Sequence, residues 1–152
     1  MKLALCNEMF QGWPLAEVFA CARRLGYQGV EIAPFTLAPS VTEIPPAWRR
    51  QIRNEARQHQ LAIVGTHWLL VKPEGLSLSS PEKSLRARTA AYLRELVIFT
   101  AEIGGEVMVL GSPRQRSLGS GQTFPEVAGY VAEALQPALE EAGKQAVSIC
   151  LE

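Results

Sequence analysis

The sequence predicts an α/β protein built on a parallel sheet, and two observations carry that expectation. Short apolar runs alternate with amphipathic helical stretches along all 152 residues, and each apolar run is followed by a helix before the next begins. Strands joined by such crossovers start from the same end of the sheet and run parallel; buried on both faces, they read as near-continuous apolar runs. A third observation is where the chemistry sits: polar side chains gather just after the apolar runs, at the end of a parallel sheet where sites form. The order is β(αβ)₄. It predicts the N-terminal portion of a (β/α)₈ TIM barrel ending in strand five, with an open doubly wound five-stranded sheet as the competitor from pattern alone.

Each element has its own signal. Lys2-Leu3-Ala4-Leu5-Cys6 is the first strand. Pro14 opens a helix whose stripe is Leu15, Val18, Phe19, Ala22 and Leu25, stopped near Gly26. Gly29 to Ala33 is the second strand, and Pro45-Pro46 leads into a helix from Ala47 to Gln58 with Trp48, Ile52 and Ala56 inward. Leu61 to Thr66 is the third strand. Ser80-Pro81-Glu82 pairs an N-cap with a proline at the first helical position, ahead of Leu85, Tyr92, Leu93, Leu96, Phe99 and Ile103. Gly104-Gly105 ends that helix, and Glu106 to Leu110 is the fourth strand. Thr123-Phe124-Pro125-Glu126 has capping-box spacing before a helix carrying Val127, Tyr130, Val131, Ala134, Leu135 and Leu139, expected to stop at Gly143. Ala146 to Glu152 is the fifth strand, and the chain stops inside it. A domain usually ends in a loop or a completed element, so residues 1–152 read as an incomplete barrel domain; whole barrels take about 250 residues.

Composition narrows the function classes. Fifteen basic and fifteen acidic residues cancel, leaving no cationic field for nucleic acid or an anionic membrane. No apolar run reaches the 18 or so residues of a membrane span. Cys6, Cys21 and Cys150 lack metal-binding spacing and are odd in number, which suits a reduced, cytoplasmic setting. Aspartate is absent altogether, so any acid–base or metal chemistry must use glutamate, histidine, cysteine or backbone groups.

The candidates follow from position. Glu152 ends strand five, where a carboxylate would face the barrel mouth, bind a hard cation or move a substrate proton. His67 follows strand three beside Trp68; the imidazole can hydrogen-bond a hydroxyl, carry a proton or bind a metal. Glu31 alternates with Val30 and Ile32 and can point inward, while Cys6 and Asn7 can line the pocket floor. Arg114 and Arg116, in Gly111-Ser112-Pro113-Arg114-Gln115-Arg116, can offer guanidinium groups to an anion. Each has a plain structural counter-reading: a strand-end histidine, a solvent-facing glutamate, a paired structural carboxylate, a core cysteine, two surface arginines. His59 on the second helix reads as exposed or as a helix-end group.

Taken in order, Gly26-Tyr27-Gln28-Gly29-Val30-Glu31-Ile32, Gly65-Thr66-His67-Trp68-Leu69-Leu70, Val109-Leu110-Gly111-Ser112-Pro113 and Ile149-Cys150-Leu151-Glu152 resemble the xylose-isomerase-like TIM-barrel superfamily. The nearer resemblance is to its sugar-phosphate isomerase/epimerase branch, which includes ketose 3-epimerases and hydroxypyruvate isomerase. It implies a divalent metal, Mn²⁺ or Mg²⁺ with Zn²⁺ or Co²⁺ as alternatives, bound by Glu152, which also transfers the proton. It further implies His67 and Trp68 as substrate contacts, and Glu31, Asn7 and Arg114 around them. The expected activity is isomerisation or epimerisation of a small sugar or hydroxycarbonyl compound by the intact protein, with no nucleic-acid or membrane partner and a homo-oligomeric state. A related metal-dependent dehydratase, or a non-catalytic fragment that folds by oligomerisation, are the alternatives. The endonuclease branch of the fold is disfavoured by the balanced charge and by Gly111-Ser112-Pro113 where that branch often places a histidine.

Overall fold

A computed structural model describes all residues, 1–152. Five strands, β1 (Ala4–Cys6), β2 (Gly29–Ile32), β3 (Ala62–Thr66), β4 (Val107–Leu110) and β5 (Ser148–Leu151), alternate with four helices, α1 (Leu15–Arg24), α2 (Pro46–Gln58), α3 (Lys83–Ile103) and α4 (Phe124–Gln145). All neighbouring pairs are parallel and the sheet order is β1-β2-β3-β4-β5. A doubly wound sheet reverses its strand order at a switch point. This sheet advances in one direction only, as a barrel wall does, and the doubly wound alternative falls.

One face of the sheet is packed and the other is not. Val30, Ile32, Ile63, Met108 and Leu110 meet Phe19, Ile52, Leu93, Leu96, Phe99 and Ile103 from the helices, all of them buried. Each large apolar side chain so buried contributes roughly 1.5–3 kcal/mol before entropy is charged against it. The opposite face carries Cys6, Glu31, Val64, Val109 and Cys150, none of them fully buried. Loops are pinned from behind. Buried Arg49 donates Nε to the Ile44 carbonyl (2.7 Å) and Nη2 to the Val41 carbonyl (2.7 Å), and pairs through Nη1 with Glu102 of α3 (2.6 Å).

Helix ends depart from expectation in two places. α3 starts at Lys83 rather than Pro81, because the Ser80 hydroxyl accepts the Glu82 N–H at 3.1 Å and closes a separate local turn. The capping box of Thr123 and Glu126 forms as expected, but α4 runs through Gly143 to Gln145 and stops where Ala146 turns left-handed (φ 53°). On α4, Leu139 is exposed while Ala134, Leu135, Ala138 and Ala142 are buried. This stripe of mainly small residues lets α4 lie close to α3, and Leu139 is one residue, about 100° of helix, off it.

The sheet contains one irregularity that decides where the site can be. Val30 pairs with Ile63, yet Glu31 pairs with Gly65, so Val64 is an extra residue, a β-bulge. Strict alternation would put His67 on the same face as Ile63, against the helices. The bulge shifts the phase: Thr66 packs outward, its hydroxyl 2.7 Å from that of Thr100 on α3, and His67 turns to the inner face. At the bulge β3 and β4 approach so closely that a Cβ on Gly65 would lie 2.0 Å from the Val107 carbonyl oxygen. Only glycine fits. Gly65→Ala is expected to lower unfolding stability by about 3 kcal/mol, read as the midpoint shift in urea; a variant as stable as the wild type would show that the bulge is dispensable.

Candidate functional site

On the inner face, side chains from four strands or strand ends converge. Cys6 pairs in register with Glu31, and the His67 backbone N–H donates to the Ile32 carbonyl at 3.0 Å, which fixes the residue beside β2. The His67 ring then lies between two carboxylates: Nδ1 is 3.3 Å from Glu31 Oε2, and Nε2 is 3.3 Å from Glu152 Oε2. His67 and Glu31 side chains are about three-quarters buried, at 25% and 23% exposure, while Glu152 is open at 65%. A neutral imidazole has one N–H and can donate to only one of the two; the protonated ring donates to both. The row Glu31–His67–Glu152 is therefore built to hold or pass a proton, with its open end at Glu152.

Cys6 stands at the closed end of that row. Burial is the main cause that pushes its thiol up to about 11; a hydrogen bond with the Glu8 backbone works the other way, and the Glu31 and Glu8 carboxylates raise it further. At neutral pH it is a neutral thiol beside Glu31, not a nucleophile.

The seat of Glu152 is shaped by its neighbours. Its backbone N–H donates to the Leu110 carbonyl at 3.3 Å, extending the β4–β5 pairing by one residue. A Cβ on Gly111 would lie 2.7 Å from Glu152 Oε2 and 3.8 Å from His67 Nε2, so glycine leaves the room the carboxylate occupies. Arg116, in the 3₁₀ turn Pro113–Arg116, donates Nε to the Gly111 carbonyl at 2.6 Å and Nη2 to the Glu152 carbonyl. One guanidinium thereby ties the ends of β4 and β5 together.

Trp68 forms the wall. Its backbone is left-handed (φ 57°), an outlier for so bulky a residue. The indole Nε1–H donates to Glu8 Oε2 at 3.1 Å, and the ring sits 5.7 Å from that of His67, tilted by 32°. Asn7 is held beneath. It is 4% exposed, its Oδ1 accepts the Ala33 N–H at 2.7 Å, and its Nδ2 donates to Thr36 Oγ1 at 2.8 Å. Its amide braces the loop after β2 and supports the site from below.

The structure thus gathers Glu31, His67, Trp68 and Glu152, with Cys6 and Asn7 behind them. Arg114 is not in this group: it is exposed and lines a separate depression between the loops after β3 and β4. His59 caps α2, with its ring 6.3 Å from Phe19. Glu8 and Gly111 are the site residues that the sequence did not single out. Glu8 lies in the run Cys6-Asn7-Glu8, but the 3₁₀ turn Asn7–Phe10 decides that Asn7 goes in and Glu8 goes up to Trp68.

A hard divalent cation takes about six oxygen donors. Glu152 and the imidazole of His67 are two converging donors, and no group of three or more histidine, cysteine or glutamate side chains is arranged to hold an ion. The donors on this chain do not by themselves fit such a metal.

Comparison with known proteins places the fold. The family model described as "Xylose isomerase-like TIM barrel" matches residues 19–152. Among curated proteins none matches the sequence significantly. Solved structures do match. A D-psicose 3-epimerase determined with D-fructose superposes with a TM-score of 0.78 at 15% identity over 99% of this chain and 52% of its own. The 3-keto-D-glucoside 4-epimerase of E. coli gives 0.74 at 15% over 99% and 55%, and an L-ribulose 3-epimerase 0.75 at 18% over 99% and 49%. The chain therefore spans about half the length of the structures it matches.

Two outcomes test the site's construction. In alkylation followed by mass spectrometry, exposed Cys150 labels at neutral pH while Cys6 stays unlabelled until the pH climbs toward about 11; equal labelling at neutral pH would contradict the buried thiol. Glu8→Gln is expected to change Trp68 fluorescence while costing less than about 1.5 kcal/mol of stability; an unaltered emission spectrum would mean that the indole is held by something else.

Proposed function

This chain belongs to the xylose isomerase-like TIM-barrel family, and we propose that it carries the proton-transfer side of an isomerase or epimerase acting on a small ketose or related hydroxycarbonyl compound. The single observation behind this reading is the row Glu31–His67–Glu152, polar and open at one end, on the inner face of a barrel wall. The folds it superposes on include three sugar epimerases.

In the proposed reaction Glu152, the exposed carboxylate, removes the proton from the carbon next to the substrate carbonyl. His67, doubly protonated and set beside Glu31 at Nδ1, gives its Nε2 proton to the carbonyl oxygen as Glu152 takes the proton from carbon, which leaves an enediol. Trp68 presents an aromatic face against which the C–H side of a sugar can lie, which keeps the substrate from rotating away from Glu152. Returning the carbon-bound proton to the adjacent carbon, while His67 recovers its proton from the other hydroxyl of the enediol, moves the carbonyl and gives isomerisation. Returning it to the opposite face of the same carbon gives epimerisation and requires a second acid across the substrate. The divalent cation implied by the family would take Glu152 as one ligand, with its remaining donors outside this set, and the steps assigned to these side chains do not run through it.

The test is hydrogen exchange. The full-length protein in D₂O with D-fructose or D-psicose is expected to place deuterium on the carbon next to the carbonyl, followed by NMR, and Glu152→Gln is expected to slow this by about 10²–10⁴-fold. A product lacking one water would identify a dehydratase instead. No exchange with any ketose, or an unimpaired Glu152→Gln, would overturn the proposal.

A further inference from the structure

Glu8 brings more to the rim of the site than a brace for the indole requires. Its half-buried side chain makes one hydrogen bond in the whole protein, accepting the Trp68 Nε1–H on Oε2 at 3.1 Å, and it joins none of the ion pairs. A brace needs one lone pair, which a neutral amide or hydroxyl supplies. A carboxylate brings two oxygens that only accept, and here Oε1 is left without a donor. It also adds a third negative charge where Glu31 and Glu152 already flank one imidazole. No cation offsets it, because Arg116, the basic side chain at this rim, is bonded to the Gly111 and Glu152 carbonyls. An acceptor kept against that repulsion is satisfied by donors that arrive from outside the chain.

The order of the strands says what brings them. Glu152 directly follows β5 and Glu8 follows β1, at opposite ends of the five-stranded wall, with His67 and Trp68 after β3 midway between. A line of contacts joins the two ends: Glu152 to His67 at 3.3 Å, imidazole to indole at 5.7 Å, indole to Glu8 at 3.1 Å. A molecule whose carbonyl lies at Glu152 and His67 therefore has its far end toward β1. Its path crosses Trp68, which is 44% exposed. A sugar chain laid with its C–H side on an indole face turns its hydroxyls outward, around the edge of the ring. Glu8 sits at that edge, on the N–H.

We infer that Glu8 is a substrate-binding residue that sets specificity. Its free oxygen accepts the O–H of a hydroxyl remote from the reacting carbonyl, so the site selects a polyhydroxylated chain that crosses Trp68 over a short hydroxycarbonyl compound that ends before it. Which end of the substrate lies at Glu152 rests on the proposed function.

Glu8→Gln isolates this role. Glutamine has one carbonyl oxygen; with that oxygen on the indole N–H, its NH₂ group takes the place of Oε1, and a donor stands where an acceptor stood. With the full-length protein, D-fructose is compared with monodeoxy analogues, each lacking one hydroxyl remote from the carbonyl, by deuterium exchange and by calorimetric titration. One analogue is expected to bind the wild type about tenfold more weakly than D-fructose does, and to bind the Glu8→Gln variant no more weakly than D-fructose does. On D-fructose the variant's kcat/KM is expected to fall about tenfold, through KM, and the preference for D-fructose over dihydroxyacetone to shrink by the same factor. Trp68→Phe removes the braced N–H and keeps a ring face; its losses are expected to be uniform across the analogues. If the losses from Glu8→Gln are equally uniform, Glu8 is a brace alone and the inference is overturned, as it is by an unchanged KM for D-fructose. Coupling between Glu8 and one hydroxyl in the titrations, with no exchange on any sugar, sinks the catalytic reading and leaves the assignment of Glu8 standing. Exchange without that coupling does the reverse.

Discussion

The close approach of β3 to β4 at Gly65 is the constraint on which the site depends. A parallel sheet with helices on one face needs strict alternation to keep its apolar side chains packed, and β3 obeys that through Ile63 and again at Thr66. Between them the extra Val64 resets the phase. Without it the imidazole would be driven into the core against α3, where no carboxylate waits for it. With it, His67 leaves the sheet on the side where Glu31 and Glu152 are. The cost is borne by the backbone, since nothing larger than hydrogen fits beside the Val107 carbonyl. A packing requirement on one face is thereby reconciled with a chemical requirement on the other.

Much of this architecture is written in the sequence. The apolar runs and intervening helical stripes specify β(αβ)₄ because burial imposes its period on each element, and the family resemblance marks the strand ends at Glu31, His67 and Glu152. The errors fall where a local bond competes with a pattern. Ser80 closes its own turn with Glu82 and delays α3; Leu139 satisfies the helical period yet lies off the stripe of small residues that lets α4 approach α3. The bulge was not legible. Val64-Gly65-Thr66 reads as an ordinary strand with a weak residue in it, and only the register against β2 shows that one residue is unpaired. For the same reason Arg114 and Arg116, two residues apart in a loop, could not be told apart until the 3₁₀ turn sent them in opposite directions.

The two faces of the sheet carry different parts of the energetics. The helix-covered face holds nearly all the large buried side chains, and the loops behind it are fixed by Arg49 through two backbone carbonyls and an ion pair with Glu102. That leaves the inner face free to keep features that cost stability: a left-handed tryptophan, and two carboxylates held on either side of one imidazole. Such features persist only where the surrounding structure over-determines them. Here the Glu8 hydrogen bond to the indole and the Arg116 tie across β4 and β5 supply that restraint.

The identity of residue 6 follows from the same charge balance. Glu8, Glu31 and Glu152 bring three carboxylates to one rim, and the row they flank contains only one group, His67, able to carry a balancing charge at its centre. Two like charges about 4 Å apart repel by about 4 kcal/mol at the effective dielectric of a protein surface, so a further acid next to Glu31 would push one of them to take up a proton. A thiol avoids this. Burial keeps Cys6 neutral far above physiological pH, and it can donate to Glu31 without adding charge. Glu31 then keeps its place 3.3 Å from His67 Nδ1, while Nε2 faces Glu152 at 3.3 Å. The charge balance of the row is thus set from its closed end, by a thiol that stays neutral.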